Sequence, residues 1–596
     1  MKKMKKLYYD MFNIEFLIKY GYFDVTPKKK QNEFNILVND YGKSDSFYMR
    51  IFNFEQLSSY LVKNYVFLKN QFFKDSNIST EPINFTIPKT KYSRRQYKLP
   101  NIYSYIHLAI YMIENKQEFI NVFVNNNYSL SKFFNLFDFN FEFTQEINKT
   151  LLQGGHNILH MDLSNFYHSL YTHSIPWVIM GKKQAKASQR KGFANKLDRL
   201  ITRCQNNETH GVPTGNMLSR IIAELYMCYI DKELENSGYV YSRYVDDISY
   251  SFTIEEDKEK FIRDFNNICI KYELKINDLK TNINSFPYEN LNNKDNIFNY
   301  FDNLSSKSKA KTWRKEIRKF IDLCVSEENR GNKGSIKSIF PVIANNLKNK
   351  KIKRGKIKKI FGYTNTISGF NLLEYLIDVS LKDSRLTNRF LTFVNEIKAL
   401  VKEESFINLI FQNYFSKNKK LIKNNINYYN INNYHQELYQ ILIYMLEFHV
   451  DNILLKKNAI KLINENTDDF CLILTTIYYL NKKWKLKNLL NTINDLFKTT
   501  ISFYHNNTNR MTKKLWFYRY FIYYLQNNEP DFRKAINKYC SENNFKRSKH
   551  GFMCELNWRY IMNLSKSDDI TLFFDELIKN KIELVNFKYI EKIIKY

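Results

Sequence analysis

The tetrad Tyr244-Val-Asp-Asp247 sets two carboxylates side by side within Tyr239 to Phe252, a stretch rich in Tyr, Val and Ile with small polar residues between them. That composition reads as a β-hairpin with the aspartates at its turn, so both carboxylates project together. Paired carboxylates can hold divalent cations, and the chemistry they suit is phosphoryl transfer with two ions about 3.5–4 Å apart. Such a site needs a further carboxylate from a neighbouring strand. Asp162 supplies one: it ends the strand-like run Ile158-Leu-His-Met161, and Leu163-Ser-Asn-Phe-Tyr167 opens a helix, with Ser164 or Asn165 placed to cap it. A carboxylate buried at a strand end is costly unless a cation or hydrogen bonds compensate it. Taken alone, Asp162 reads equally well as a helix cap. The tetrad by itself has on the order of a one-in-ten chance of arising in a chain so rich in tyrosine, so its surroundings must decide. The other aspartate pairs, Asp468-Asp469 and Asp568-Asp569, precede helical patterns and read as helix N-terminal caps.

Further segments suit a nucleotide. Gly211-Val-Pro-Thr-Gly-Asn216 precedes a helical pattern in which Leu218, Ile221, Ile222 and Leu225 share one side. Glycines there allow close backbone approach, and the helix start offers free N–H groups. Leu274-Lys-Ile-Asn277 reads as strand-like, and Lys280 after it is suited to neutralise or protonate a leaving pyrophosphate. Upstream, Arg94-Arg-Gln-Tyr-Lys-Leu-Pro100 places cations where a triphosphate would be gripped, bidentately by arginine. Gly42-Lys-Ser44 mimics the end of a Walker A loop, but Leu37 stands where that motif requires glycine, which excludes an ATPase of that type.

The elements that must position these residues divide the chain in two. Seven of nine prolines precede residue 290, and that part mixes β-branched alternation with short helical patterns, an α+β region. Beyond it amphipathic runs recur, with Leu438, Ile441, Leu442, Met445 and Phe448 at helical spacing. Phe470 to Leu480 and Leu515 to Leu525 are apolar nearly all round, as stacked helices of a repeat would be. The expected division is 1–300 and 301–596, within the polar stretch Tyr288 to Lys311. Two lysine-dense segments, Lys307 to Lys319 and Lys348 to Lys359, read as solvated faces, although Trp313 in the first admits a base-stacking role.

The chain of 596 residues carries 91 Lys and Arg against 60 Asp and Glu, a net charge of +31, which makes a polyanion the natural partner. The seven cysteines are scattered and never spaced C-x-x-C, which points away from a disulfide framework and from a zinc knuckle. No apolar run is long enough to span a bilayer, and Asp10, Asn13 and Glu15 interrupt any leader-like core, so a cytoplasmic protein without membrane contact is expected.

In this order the segments resemble the fingers and palm of reverse transcriptases. The resemblance implies that Asp162 and Asp246 hold two Mg²⁺ ions, with Mn²⁺ as a substitute, that Asp247 supports them, and that Leu163 lends a backbone carbonyl. It makes Lys280 catalytic and places Tyr167 where it screens the sugar 2′ group, with Gly215, Arg95 and Lys98 at the nucleotide. Asp162-Leu-Ser-Asn-Phe-Tyr-His168, Thr172-His-Ser-Ile-Pro-Trp177, Thr209-His-Gly-Val-Pro-Thr-Gly-Asn216 and Tyr241-Ser-Arg-Tyr-Val-Asp-Asp247 narrow the likeness to the abortive-infection (Abi) reverse transcriptases. Leu381-Lys-Asp-Ser-Arg-Leu-Thr-Asn388, Glu437-Leu-Tyr-Gln440 and Glu555-Leu-Asn-Trp558 extend it through the second half.

That family implies a bacterial anti-phage enzyme that makes DNA from dNTPs without a template, starting from one of its own tyrosines. It also implies a covalently attached single-stranded product, a HEAT-like helical-repeat C-terminal domain and homo-oligomers such as hexamers. Tyr41-Gly-Lys-Ser-Asp-Ser-Phe47 resembles the priming region and makes Tyr41 the nucleophile. Thr214 departs from the glutamine usual in template-copying relatives, and no separate thumb follows Pro287. The competing readings are an RNA-templated reverse transcriptase and a non-catalytic nucleic-acid-binding scaffold.

Overall fold

A computed structural model describes residues 2–25, 51–74, 78–90, 92–136, 139–188, 191–288, 294–363, 369–466, 468–499, 514–543, 546–547, 554–555 and 569–590. Strands β1 (Ile83–Pro88) and β2 (Arg94–Leu99) form an antiparallel hairpin with Ile83 opposite Leu99 and Pro88 opposite Arg94. Directly opposed residues share a face of the pleat. Phe85, Ile87, Arg95 and Tyr97 therefore lie on one side, and Asn84 and Lys98 on the other.

The second sheet has the order β4 (Ser242–Tyr244), β5 (Asp247–Phe252), β3 (Asn157–Asp162), β6 (Asn282–Ser285), with every pair antiparallel. Period-two alternation turns Leu159 and Met161 of β3 and Ile248 of β5 into the core. His160 and Asp162 stand on the opposite face, where the His160 ring lies 2.9 Å from the Ser249 hydroxyl. The helix Met217–Asn236, buried on nearly all sides, meets β4 through Glu224 and Asp231, which pair with Arg243. Asn216 starts it: its side-chain oxygen accepts from the Ser219 N–H at 3.1 Å, and its amide donates to the Pro213 carbonyl at 2.8 Å. The helix Glu255–Tyr272 opens on Glu255, Glu256 and Asp257, which complement its dipole, and Phe261 stacks on Tyr250 of β5 with centroids 4.2 Å apart.

Locally, two expectations give way. Leu274 to Asn277 forms one isolated bridge, Leu163 to Ile276, and then the 3-10 turn Asp278–Lys280, so the strand follows Lys280. The Asn277 N–H donates to the Asp162 carbonyl at 2.8 Å and the Ser164 N–H to the Lys275 carbonyl at 2.7 Å, so this short piece pairs with the end of β3 before the 3-10 turn interrupts the ladder. Asn165 precedes the helix Phe166–Ser169 but makes no side-chain cap bond. At φ 49° it is a left-handed hinge, a conformation asparagine tolerates.

From Ala310 onward the described residues are helical apart from 3-10 turns and the short ladder of Lys546–Arg547 with Cys554–Glu555. The helices His435–Glu447, Asp469–Asn481 and Trp516–Asn528 stack in one row, and Lys456–Glu465, Leu486–Thr499 and Pro530–Glu542 in a second row beside it. The first row is buried all round, which explains its uniformly apolar sequence. Asp468 caps Asp469–Asn481 by accepting from the Phe470 and Cys471 N–H groups. Buried Asp469 reaches the next helix in that row, accepting from the Phe517 and Tyr518 N–H groups at 3.0 and 2.9 Å.

Trp313 lies in the core, stacked on Phe301 with centroids 5.8 Å apart, and is not available to stack on a base. In the other lysine-dense segment Lys356 donates to the Ser308 carbonyl at 3.0 Å and Lys358 pairs with Glu403, so these ammonium groups tie the helix Arg354–Phe361 to the segments that lead into its neighbours.

Residues 51–74 return to the far end of the chain. The Asn53 N–H donates to the Leu584 carbonyl at 3.1 Å, and the Tyr60 hydroxyl donates to Glu576 at 2.8 Å. Phe52 meets Phe470 and Phe517 with centroids 4.6 and 5.4 Å apart. The α+β and helical regions thus share one continuous apolar core. Cys204, Cys228, Cys269, Cys324, Cys471 and Cys540 are buried free thiols. Among the described residues no helix is long and apolar enough to cross a membrane.

Candidate active site

Register alone brings two of the acidic residues together, because Asp162 at the end of β3 lies opposite Asp247 at the start of β5. Asp246 occupies the turn between β4 and β5, and carboxylate oxygens of Asp162, Asp246 and Asp247 all fall within 4.8 Å of one another. Asp162 is buried, Asp246 is half-buried and Asp247 is exposed. Lys280 sits 2.8 Å from Asp162 Oδ2, and the Asn277 amide donates to the same oxygen at 2.9 Å. Burial works against a charge on Asp162, yet its hydrogen bonds from Lys280, Asn277 and Asp247 hold it below the ordinary aspartate range. Asp247 moves the other way, to about 7, through partial burial, its hydrogen bond to Asp162 and the charge of Asp246. Burial and Asp162 also raise Asp246. Such crowding of hard oxygen donors fits divalent cations, with Asp162, Asp246 and Asp247 as the residues that would hold them.

The turn that presents Asp246 is strained. Val245 adopts φ 60°, a left-handed conformation that a β-branched residue rarely takes. Two hydrogen bonds hold it there: Arg243 Nη1 donates to the Val245 carbonyl at 2.8 Å, and the Val245 N–H donates to Ser131 Oγ at 2.9 Å. Arg243 is itself wholly buried. It donates to Asp231 from Nε and Nη2 at 2.8 and 2.6 Å, and to Glu224 from Nη2 at 2.8 Å. Tyr241 and Asn126 also donate to Asp231, at 2.6 and 2.7 Å. The Ser129 and Ser131 hydroxyls donate to Glu224 at 2.5 and 2.6 Å. Buried Lys132 adds a second cation nearby, its pKa lowered by burial.

Sequence reasoning passed over this network. Its trace is Glu224 and Asp231, seven residues apart and so on one face of a helix whose neighbouring positions are mostly apolar, together with an arginine amid Tyr241-Ser-Arg-Tyr244. Burial opposes a charge on Glu224, but Arg243 and the two serines outweigh it and bring its pKa down to about 2, from an ordinary 4.5. A folded-state pKa below the unfolded one stabilises the fold above the unfolded value, and that contribution disappears as pH falls through the folded value. Acid unfolding followed by tryptophan fluorescence is therefore expected to lose part of its pH dependence between about 4.5 and 2 in Glu224→Gln.

The remaining sequence-derived residues divide by position. Tyr167 is half-buried in the helix Phe166–Ser169, and its hydroxyl is raised by burial while feeling Arg220 and Asp246. Its carbonyl accepts from the Val212 N–H at 2.9 Å, which ties the Gly211 to Asn216 loop to the Asp162 segment. Gly215, at φ +97°, lies so close to β2 that a Cβ would stand 3.0 Å from the Tyr97 ring and 3.2 Å from Leu99. Its glycine is thus required by packing as well as by conformation. Thr214 faces β2, its hydroxyl donating to the Gln96 carbonyl at 3.0 Å while its own carbonyl accepts from the Lys98 N–H at 3.2 Å.

Leu163 follows Asp162 in the core. Arg95 is exposed, and its charge reaches Asp246. The pleat puts Lys98 on the other face of the hairpin from Arg95, yet the charges of both reach His168, whose pKa burial and these cations lower. Arg94, beside them, is bound to Glu437 at 2.6 and 2.7 Å. Tyr41 lies outside the described residues, as does Gly42-Lys-Ser44.

Residues 99–318 match the family described as reverse transcriptase (RNA-dependent DNA polymerase). The match takes in the Asp162 strand, the Gly211 to Asn216 loop, the Tyr244 to Asp247 turn and Lys280, so a reverse-transcriptase domain occupies this part of the chain. No curated protein matches the chain.

Proposed function

We propose that the chain, whose residues 99–318 form a reverse-transcriptase domain, is a DNA polymerase that starts strands on its own Tyr41 and extends them from dNTPs without a template. This is the behaviour expected of an abortive-infection reverse transcriptase akin to AbiK. The observation that carries the reading is the meeting of Asp162, Asp246 and Asp247 on the open face of the sheet. In the reaction, an oxygen nucleophile bonds to the α-phosphorus of the nucleotide, the bond to pyrophosphate breaks, and the nucleophile's proton departs. When bound, a pair of divalent ions stabilises the nucleophilic oxyanion and the charge on the departing pyrophosphate. For a tyrosine this help is essential, since a phenol of pKa about 10 is a poor nucleophile at neutral pH.

On this reading Asp162 and Asp246 are the metal ligands, with Asp247 and the Leu163 carbonyl in support. Lys280 faces the leaving group, Arg95 and Lys98 the triphosphate, and Tyr167 and Gly215 the nucleoside. Thr214 supports untemplated synthesis, because its hydroxyl is engaged by the hairpin backbone. The two rows of stacked helices support a HEAT-like repeat. A covalently attached strand, assembly into homo-oligomers such as hexamers, a bacterial cytoplasmic setting and a role in defence against phage complete the proposal.

Purified protein given labelled dNTPs and no nucleic acid is expected to become covalently labelled, with nucleotide-sized mass increments on the Tyr41 peptide. Tyr41→Phe should abolish that label while leaving the fold intact. Persisting label in the variant would move the primer to another residue. The family description itself favours a second reading, extension of a primer on RNA. Sequencing the product made with a supplied RNA template decides between them, since complementarity to the template would replace untemplated synthesis. In a non-catalytic scaffold no label would appear under either condition.

A further inference from the structure

Where the apolar face of the β1–β2 hairpin meets the helical region there is a cavity of about 500 Å³, roomy enough for a nucleotide. Lys89, Arg95, Lys337 and Arg385 all line it, alongside Tyr97 and Gly215. These cations come from separate places: the hairpin turn, β2, the 3-10 turn Ile336–Ser338 and the 3-10 turn Ser384–Leu386. The carboxylate in the lining, Asp24, is occupied by Arg220 at 2.6 Å. Arg385 is held in place by Asp383, through Nε at 2.9 Å and Nη2 at 2.6 Å. Lys89 and Lys337 meet no carboxylate in ion-pair contact among the described residues. The Ser384 hydroxyl, also in the lining, is buried without a hydrogen-bond partner among the described residues.

Gathering cations this way costs free energy unless an anion joins them. The cost is visible at Lys337, whose pKa is lowered by its partial enclosure and by the charges of Arg385 and Arg389, with Asp383 and Glu328 offsetting only part of it. Gly215 in the lining belongs to the Gly211 to Asn216 loop, which the Val212 N–H ties at 2.9 Å to the Tyr167 carbonyl in the segment after Asp162, so the cavity adjoins the carboxylate site. Ser384, Arg385, Thr387 and Asn388 supply one wall.

We propose that this cavity is a phosphate-binding subsite, built jointly by the hairpin and the helical region, that takes the phosphates of a nucleotide-bearing ligand beside the carboxylate site. It rests on the polymerase reading above and adds Lys89, Lys337 and Arg385 to it. The same phosphate chemistry is offered by the backbone of a single DNA strand and by a free triphosphate.

The test uses the full chain without divalent metal. Binding of a fluorescent oligodeoxythymidylate is measured by anisotropy across a salt series, and dTTP is measured as a competitor. The variants are Lys337→Gln, Arg385→Gln and the pair Lys89→Gln with Lys337→Gln, and Lys534→Gln on the helix Pro530–Glu542 serves as a charge-matched control. The cavity variants are expected to bind roughly tenfold more weakly for each cation removed. If the ligand is the strand, the oligonucleotide weakens and the slope of log K against log salt shrinks by about 0.7 per lost contact. If it is the triphosphate, competition by dTTP weakens instead. Effects no larger than those of Lys534→Gln on both ligands would overturn the subsite. The Lys89 and Lys337 pair decides the matter should Arg385→Gln free Asp383 and disturb the fold. Binding is read without catalysis, so the subsite can fail while protein-primed synthesis stands, and the reverse.

Discussion

Asp246→Asn is expected to cut nucleotide incorporation by about a thousandfold or more, because a ligand to the reacting ions is worth several kcal/mol and each 1.4 kcal/mol is about a factor of ten. The substitution keeps the shape of the side chain and removes only its charge. That charge is already disfavoured in the fold, since burial and Asp162 both raise the Asp246 pKa. Removing it relieves repulsion, so the urea midpoint of the variant should equal or exceed that of the wild-type chain. Lost incorporation together with unchanged or higher stability is the signature of a residue kept for chemistry. Incorporation within tenfold of wild type would remove Asp246 from the reaction. Asp162→Asn should lose activity similarly but with altered stability, because it breaks the contact with Lys280.

Arg243→Met carries the second large effect. It leaves Glu224 and Asp231 buried without their guanidinium and is expected to destabilise the chain by about 3–5 kcal/mol. A urea titration reads that loss. The same change removes the hydrogen bond that holds the Val245 carbonyl, so the turn presenting Asp246 loses one of its two supports. Neutralising the partners as well, by Glu224→Gln and Asp231→Asn in the Arg243→Met background, should recover much of the stability, as removal of a whole buried ionic set generally does. It should not recover incorporation if Arg243 positions the turn. Restored incorporation in the triple variant would reduce Arg243 to a stabilising role.

The pattern of what was legible follows from the range of each interaction. The turn at Val245 and Asp246, the strand ending at Asp162, the cap at Asp468 and the apolar helices from 438 onward all leave a trace within a few residues. They depend on side-chain alternation, helical spacing or a single capping residue. Trp313 was ambiguous because a tryptophan beside lysines has the same local pattern whether it faces solvent or Phe301. The 3-10 turn after Asn277 leaves no local trace, because the ladder it interrupts is made with the Asp162 segment, 115 residues away. Arg243 was missed for the same reason, since one of its partners, Ser131, is 112 residues earlier.

From its order of residues alone, this chain specifies the chemistry it is equipped for: acidic groups for cations, basic groups for phosphates and helices to carry the rest, each encoded by near neighbours. Tertiary folding decides which of those groups meet. It sets Asp162 against Asp247 by strand register, strains Val245 over a buried arginine and sends Arg95 and Lys98 to opposite faces. It also brings Lys337 and Arg385 from the helical region to the hairpin. Charge compensation and strand register act between segments far apart in the chain, and no short window of sequence records them.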